Sequence, residues 1–260
     1  MYFPLLVVLA LIAAKTANAI QTRPEKSTLG IWGGHDTTIQ KHPYQVSIEN
    51  FFTIHLCGAT MISPNYVLTT AQCAPTHPFF DRIRAGTTEK GTGGSTHKAV
   101  EIIIHEGFDR GSGRFLENNI CLIKVDPPFN LDETRQPIPL YEPNEETRAG
   151  EESVITGWGY MSNGSKAKIL QEAIAPVVDR DQCENAYKDR LPEGTICVGG
   201  NGTNFCFDDE GGPTIIGGRL AGIISQGWSC GNNRPPTIST EVAAYHDWIM
   251  ENMSEGEGKN

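Results

Sequence analysis

Three acidic side chains in a row, Asp208, Asp209 and Glu210, lie in the stretch NFCFDDEGGPTII, from Asn204 to Ile216. A glutamate carboxylate can act as a nucleophile, as it does in glycosidases. Attack by Glu210 on a peptide bond would form an anhydride, and no neighbouring residue type in this stretch would protonate the leaving amine. We therefore expect no peptide cleavage that starts from Glu210.

The cysteines and histidines do not form a metal-binding pattern. None of the 7 cysteines belongs to a CxxC pair, so a zinc site has little support. No nucleotide or flavin motif is present either, and we expect no cofactor and no metal. The histidines fall at predicted strand edges, in loops or in the terminal helix, and we expect them at the surface or in loops: His35, His42, His55, His77, His97, His105 and His246.

Short β-rich runs separated by turn signals recur along most of the chain. Such spacing is typical of an antiparallel barrel or sandwich, so we predict an all-β fold. The runs are YQVSI, ATMIS, YVLTTA, AVEIIIH, ICLIKV, SVITGWG, EAIAPVV, GTICVG, PTIIGG, LAGIISQG and PTISTEV.

Two helices interrupt this pattern. The first is predicted from about Asp179 to Lys188, and a terminal one from about Val242 to Met253. Apolar residues at helical spacing predict that one face of the terminal helix packs on the core. These residues are Val242, Tyr245, Ile249 and Met253, with Trp248 beside them.

The N-terminal residues predict export. The apolar run Leu5 to Ala14 is about half the length that crossing a bilayer requires, and small residues follow it at positions 17–19. We predict a cleaved signal peptide over residues 1–19, with a short membrane anchor as the alternative. Residues 20–30 are polar and aperiodic, as in a pro-segment or flexible arm, and residues 31–260 form the remaining domain.

Charge and compartment limit the partners. The formal net charge of -10 argues against a nucleic-acid partner, because such proteins gather Lys and Arg. In an oxidising compartment the cysteines should form disulfides and leave one over. Sequons at Asn163, Asn201 and Asn252 predict N-glycosylation where they are exposed. We expect a secreted, extracellular monomer that does not associate with membranes.

From Ile31 to the terminal helix the chain resembles the trypsin-like serine proteases. The landmarks occur in order: IWGG, HPYQVSI, LCGATMIS, LTTAQC, ENNICLIKV, ITGWG, CFDDEGGP and YHDWI. The resemblance implies two six-stranded antiparallel β-barrels with the active site in the cleft between them. It also implies the disulfides Cys57–Cys73, Cys183–Cys197 and Cys206–Cys230, and leaves Cys121 as a buried small hydrophobic residue.

The resemblance places other side chains at the three catalytic positions. Gln72 stands where the family has histidine, Asn119 where it has aspartate, and Glu210 where it has serine. An amide does not titrate in the working range, so Gln72 cannot accept a proton, although Asn119 could hydrogen-bond it. On this basis we expect a pseudoenzyme with no catalytic residues.

The two backbone donors of the family's oxyanion hole correspond to Asp208 and Glu210. Two carboxylates there oppose a developing oxyanion. Asp208 also replaces a glycine, so its backbone is expected to be strained or its N–H misdirected.

The specificity pocket is expected to be filled. By residue-to-residue matching, Asn204 stands at the pocket base, Phe205 and Thr237 add bulk, and Gln226 replaces an aromatic residue lining the cleft. For Phe205, plain core packing is the alternative.

The activation latch of the family corresponds to Ile31 and Asp209. In the family, the amino group created by cleavage pairs with the aspartate. Here Gly30 precedes the cut, so a protease requiring Lys or Arg would not process the chain, whereas a less selective one would.

The leading functional prediction is a catalytically inactive protease homologue that acts by binding. Among such members the chain looks most like the scabies mite inactivated serine protease paralogues, related to mite group 3 allergens. That resemblance implies interference with host complement or another defence cascade. The alternatives are a weak or altered hydrolase, and a decoy that shields substrates of active relatives.

Overall fold

The structure is a computed structural model. It describes residues 31–76, 81–111, 115–200, 202–227, 230–231 and 234–257. The predicted signal peptide (1–19) and pro-segment (20–30) lie outside the described residues, as do His77 and the sequon residue Asn201. In the described part of the chain, no helix combines the length and apolar character that crossing a bilayer needs.

The first barrel is closed by six antiparallel strands in the order β2-β3-β4-β7-β6-β5. Strand β5 pairs with β2 and completes the ring. The strands are β2 (Gln45–Glu49), β3 (His55–Met61), β4 (Tyr66–Thr69), β5 (Arg82–Ala85), β6 (Ser95–Ile104) and β7 (Cys121–Asp126).

Strand β5 was not among the predicted runs. Arg82 and Arg84 interrupt its apolar pattern. Arg84 is nevertheless buried, and its Nε donates to both carboxylate oxygens of Glu49 at 2.9 Å. The Arg84 charge, which makes this strand hard to predict from the sequence, is therefore paired with Glu49 inside the barrel.

The second barrel is a closed ring in the order β8-β9-β10-β13-β12-β11, because β11 also pairs with β8. A two-residue strand, β1 (His35–Asp36), adds to the edge of β9 and was too short to predict. The strands are β8 (Glu152–Gly157), β9 (Gln171–Val178), β10 (Thr195–Val198), β11 (Pro213–Ile216), β12 (Arg219–Gln226) and β13 (Thr237–Glu241). The predicted all-β architecture of two six-stranded barrels is confirmed.

Both predicted helices are present. Helix α1 (Arg180–Tyr187) begins where the Asp179 side chain accepts a hydrogen bond from the Gln182 N–H, and ends at Lys188 in a left-handed conformation. Helix α2 (Val242–Glu257) runs four residues further than predicted.

The predicted face of helix α2 packs on the core. Val242, Tyr245 and Ile249 are buried in a cluster with side chains of the first barrel, and Trp248 and Met253 pack against it. The same cluster includes Leu220 and Ile223 from the second barrel. The helix therefore helps to hold the two barrels together, and the cleft lies between elements of both.

All three predicted disulfides are present. They are Cys57–Cys73, Cys183–Cys197 and Cys206–Cys230. Cys121 is unpaired and buried, and burial raises the pKa of its thiol to about 12. Three disulfides fit an extracellular protein.

Candidate functional site

Gln72 lies in a single turn of 3-10 helix, Ala71–Cys73, fixed to strand β3 by the Cys57–Cys73 disulfide. Its side-chain Nε2 donates to the Ser225 carbonyl at 2.6 Å. Its backbone N–H donates to Asn119 Oδ1 at 3.1 Å. The amide is thus held by the backbone of strand β12.

Asn119 is buried two residues before the start of strand β7, and both its Oδ1 and its Nδ2 are hydrogen-bonded. Its Oδ1 accepts from the Gln72 backbone, as above, and its Nδ2 donates to Ser225 Oγ at 2.8 Å. Ser225 therefore connects Gln72 and Asn119, a role that the sequence reasoning missed. The signal for it was a polar residue at the end of the otherwise apolar run LAGIIS.

Glu210 makes its hydrogen bonds locally. Its carboxylate accepts from the Asp208 N–H at 2.7 Å and from its own backbone N–H. Burial raises the pKa of this carboxyl, while the two hydrogen bonds and repulsion from Asp208 have smaller effects. Among the described residues, neither Gln72 nor Asn119 hydrogen-bonds the Glu210 side chain.

The Asp208 N–H, one of the two that the resemblance places in the oxyanion hole, is therefore occupied by the chain's own Glu210 carboxylate. Asp208 adopts the left-handed conformation with a φ of 74°, which costs a non-glycine residue about 1–2 kcal/mol. The Asp208 N–H therefore does point at a carboxylate, but that carboxylate is the Glu210 side chain of the same chain. The assignment of Asp208 and Glu210 to an oxyanion hole itself stays a prediction.

Two groups that the sequence reasoning missed hold Asp208 in place. Lys166 Nζ lies 2.6 Å from Asp208 Oδ2 as an ion pair. His55 Nε2 donates to the Asp208 carbonyl at 2.8 Å, which leaves Nδ1 to accept from Ser47 Oγ. Burial lowers the pKa of His55 to about 4, so its ring is neutral near pH 7.

The expectation that the histidines lie at the surface or in loops is wrong for two of them, His55 in strand β3 and His97 in strand β6, whereas His42 does lie in a turn before strand β2. His42, His55 and His97 are buried. Each is tolerated inside because both ring nitrogens have hydrogen-bond partners. None of these rings hydrogen-bonds Gln72, Asn119 or Glu210 in the described part of the chain.

The predicted pocket residues Asn204, Phe205 and Thr237 are buried together. The Phe205 backbone N–H donates to Thr237 Oγ1 at 3.2 Å. The Asn204 N–H donates to the Trp32 carbonyl at 3.1 Å. Phe205 belongs to the core cluster of the second barrel, and its ring lies so close to Gly227 that a Cβ there would be 2.8 Å from it. Phe205 therefore packs in the core, and its part in filling a specificity pocket stays a prediction.

Gln226 reaches across the cleft. Its Oε1 accepts a hydrogen bond from the Leu116 N–H at 3.0 Å. The side chain thereby occupies a backbone donor on the segment that follows strand β6. A ligand strand entering at this point would have to displace it.

Ile31 and Asp209 are both fully buried in the uncut chain. Asp209 Oδ1 accepts from the Gly159 N–H at 2.8 Å, and Oδ2 from the Cys206 N–H at 3.0 Å. Burial raises the pKa of Asp209 to about 8, against the lowering effect of these hydrogen bonds. Pairing with a new amino group at Ile31 stays a prediction.

In the described part of the chain, no group of three or more His, Cys, Asp and Glu side chains is arranged to hold a metal ion. Of the three catalytic positions that the resemblance assigns, only Glu210 titrates. Proton transfer at this cleft would therefore depend on a carboxyl group whose pKa is raised.

The protein-family model described as Trypsin matches residues 31–249. The chain belongs to the trypsin family. Among curated trypsin relatives, Trypsin from Phaedon cochleariae is 32% identical, covering 95% of this chain and 96% of its own length. Trypsin Blo t 3 from Blomia tropicalis is 35% identical, covering 80% of each chain. The Vitellin-degrading protease of Bombyx mori is 31% identical, covering 86% of each.

A solved trypsin-family structure has the same fold. Neuropsin, a serine protease expressed in the limbic system of mouse brain, superposes with a TM-score of 0.78. It is 26% identical and covers 85% of this chain and 98% of its own.

These relatives correct one prediction. The three replaced side chains predicted a pseudoenzyme, whereas the relatives are named trypsins and proteases and point to a protease. That prediction rested on three side chains, Gln72, Asn119 and Glu210. The similarity to the trypsin family extends over residues 31–249.

Proposed function

We propose that this trypsin-family chain is secreted and acts by binding a protein of a host-defence cascade, with complement components as the partner class. The partner class rests on the resemblance to the scabies mite paralogues and mite group 3 allergens. The 35% identity to Trypsin Blo t 3 from Blomia tropicalis supports the trypsin-family part of the proposal. The proposal includes a signal peptide, a monomeric state and glycosylation at exposed sequons such as Asn163.

The observation that carries the proposal is an apolar surface formed by the turn between strands β2 and β3 and by the start of β3. Its exposed fractions are 61% for Phe51, 76% for Phe52, 49% for Ile54 and 41% for Leu56. Exposed apolar side chains this close together are typical of protein-binding surfaces. We call these four residues the hairpin patch.

The hairpin patch has a defined shape. Asn50 Oδ1 accepts hydrogen bonds from the Phe52 N–H at 2.9 Å and the Ile54 N–H at 3.1 Å. The Phe51 and Phe52 rings meet edge to face with their centroids 5.6 Å apart. A turn fixed in this way presents its aromatic rings without first having to be ordered, which favours binding.

The hairpin patch also continues into the cleft. Leu56 directly precedes Cys57, whose disulfide partner follows Gln72. Two residues beyond Leu56, the Gly58 N–H donates to the Glu210 carbonyl at 2.7 Å. A protein bound on the patch would therefore lie beside the candidate site.

Affinity capture from host serum, followed by mass spectrometry, tests the proposal. We expect Phe52→Ser to weaken capture of the main partner at least about tenfold, because burying one phenylalanine contributes roughly 1.5–3 kcal/mol. Met250→Ser, at an exposed apolar position on helix α2, is the matched control and should bind as the wild type does. Capture that is equal for both variants would contradict a role for the hairpin patch.

Peptide or ester hydrolysis at the cleft is the second candidate, favoured by the names of the relatives. Because Glu210 is the titrating group at the three positions, hydrolysis should depend on its ionisation. A panel of lysine, arginine and phenylalanine esters and amides, assayed from pH 5 to 9, tests this.

We expect Glu210→Gln to reduce any such rate by about a hundredfold or more, as loss of an acid–base group does. Glu133→Gln, at an exposed carboxyl, is the control. A rate that survives in Glu210→Gln would assign the chemistry to other residues.

A further inference from the structure

A cavity of about 320 Å³ lies on the second barrel, where strands β9 and β10 meet the start of helix α1. A second cavity of about 370 Å³ adjoins it, and Glu146 and Glu241 line both. None of the residues of the candidate site lines either cavity. The volume of each is at the lower end of the range for ligand pockets, about 300–1,000 Å³.

The inner wall of the first cavity is apolar. Val177, Leu191 and Ile196 are buried, and Val178 is partly buried beside them. Such a wall suits an alkyl chain.

Arg180 also lines this cavity, but its guanidinium is already engaged. It donates from Nη2 to the carbonyls of Leu191 at 2.7 Å and Pro192 at 3.1 Å. Its Nε lies 3.2 Å from the Glu184 carboxylate. Arg180 is therefore a fixed part of the wall whose charge is balanced within helix α1.

The carboxylates at the mouth are not balanced in this way. In the described part of the chain, the Glu241 side chain has no hydrogen bond and no ion pair, although it is partly buried at the end of strand β13. Burial raises the pKa of Glu241, attraction by Arg180 opposes that effect, and repulsion by Glu146 adds to it. An approaching cation would relieve the cost of holding this carboxylate out of water.

We propose that this cavity binds a lysine side chain of a protein partner, with the alkyl chain against the apolar wall and the ammonium group between Glu241 and Glu146. Lysine suits the site because its compact charge can be shared by two carboxylates on separate segments, whereas a guanidinium pairs most favourably with a single planar acceptor pair. A long-stemmed amine also matches the combination of an apolar wall and a negative mouth.

The inference rests on the proposed function in one respect, that the partner is a protein. It can fail separately, because the cavity is tested with a peptide and the proposed function with serum proteins. If the peptide does not bind but serum proteins are captured, only the lysine-binding proposal is refuted. If the peptide binds but no serum protein is captured, only the proposed partner class is refuted.

The experiment is titration of the uncut chain with a capped pentapeptide, Ac-Gly-Val-Lys-Val-Gly-NH2, and its norleucine counterpart, followed by isothermal calorimetry and amide NMR shifts. We expect the lysine peptide to bind and the norleucine peptide to bind at least about tenfold more weakly, since a charge-assisted hydrogen bond is worth that much. The double variant Glu146→Gln/Glu241→Gln should lose binding by about the same factor, and Glu133→Gln should not.

Equal affinity for the two peptides, or full affinity in the double variant, would overturn the proposal. If the double variant fails to fold, the wild-type NMR shifts decide. Shifts confined to Glu241, Ile196 and the first turn of helix α1 support the cavity, and shifts confined to the hairpin patch or cleft refute it.

Discussion

Replacing Asp209 by asparagine should change how the stability of the uncut chain depends on pH. The pKa of Asp209 rises from 3.8 to about 8 on folding, chiefly because the carboxyl is fully buried. Between these values the folded chain keeps a proton that the unfolded chain has lost. The free energy of unfolding should therefore fall as the pH rises through this window, and the contribution of the bound proton should be lost above pH 8.

The size of the effect follows from the pKa difference. About four pH units at 1.36 kcal/mol each correspond to roughly 5 kcal/mol, an upper value because local relaxation and water entry reduce it. Asparagine removes this dependence. It also leaves either the Gly159 or the Cys206 N–H facing an amide nitrogen, a cost of about 1–3 kcal/mol that is the same at every pH.

The assay is urea unfolding of both chains at intervals from pH 4.5 to 9, with the disulfides intact. We expect the wild type to be more stable than Asp209→Asn at low pH and to lose several kcal/mol relative to it by pH 9. Asp181→Asn, at an exposed carboxyl in the first turn of helix α1, controls for general charge effects. Parallel pH curves for the wild type and Asp209→Asn would refute the reasoning.

Three further predictions concern the close packing at Gly211, the buried ion pair of Arg84 with Glu49, and the activation latch. In urea unfolding, Gly211→Ala should destabilise the chain at least about 3 kcal/mol more than Gly164→Ala. Both glycines have a φ of 80°, but only a Cβ at position 211 would overlap first-barrel atoms. Equal losses of stability would contradict the overlap. Arg84→Ala should cost about 3–5 kcal/mol by leaving Glu49 buried without its partner, and adding Glu49→Gln should recover part of that loss. Full stability of Arg84→Ala would contradict the pairing. If the predicted latch between Ile31 and Asp209 forms, cutting the chain before Ile31 should abolish the fall in stability with rising pH that burial of Asp209 predicts. An unchanged pH curve after cutting would argue against the latch.

Much of the architecture could be predicted from the sequence because apolar runs and turn residues mark most strands locally. Helix α1 was also predicted from the sequence, and in the structure the Asp179 side chain caps its start. Strand β5 was not, because Arg84 looks like a surface residue until Glu49 is placed beside it by the barrel. A charge pair between residues 35 positions apart leaves no local pattern.

At the candidate site, the residue types were predictable and their contacts were not. Order along the chain placed Gln72, Asn119 and Glu210 in corresponding positions of a known family. It did not show that Ser225 joins the first two, or that Glu210 satisfies the Asp208 N–H. The buried role of His55 was missed for the same reason, since Ser47 and Asp208 reach it from different barrels.

By itself the sequence determined the strand-rich fold and the side chains available for chemistry, since these depend on local pattern. Its resemblance to the trypsin-like serine proteases implied the family and the disulfide pairs. Only the tertiary structure decided where those side chains make their hydrogen bonds and which carboxylates are buried. The Asp208 N–H is directed at the Glu210 carboxylate, and Asp209 is fully buried although its neighbour Phe207 is exposed. Desolvation and long-range contacts arise only when distant segments are packed together.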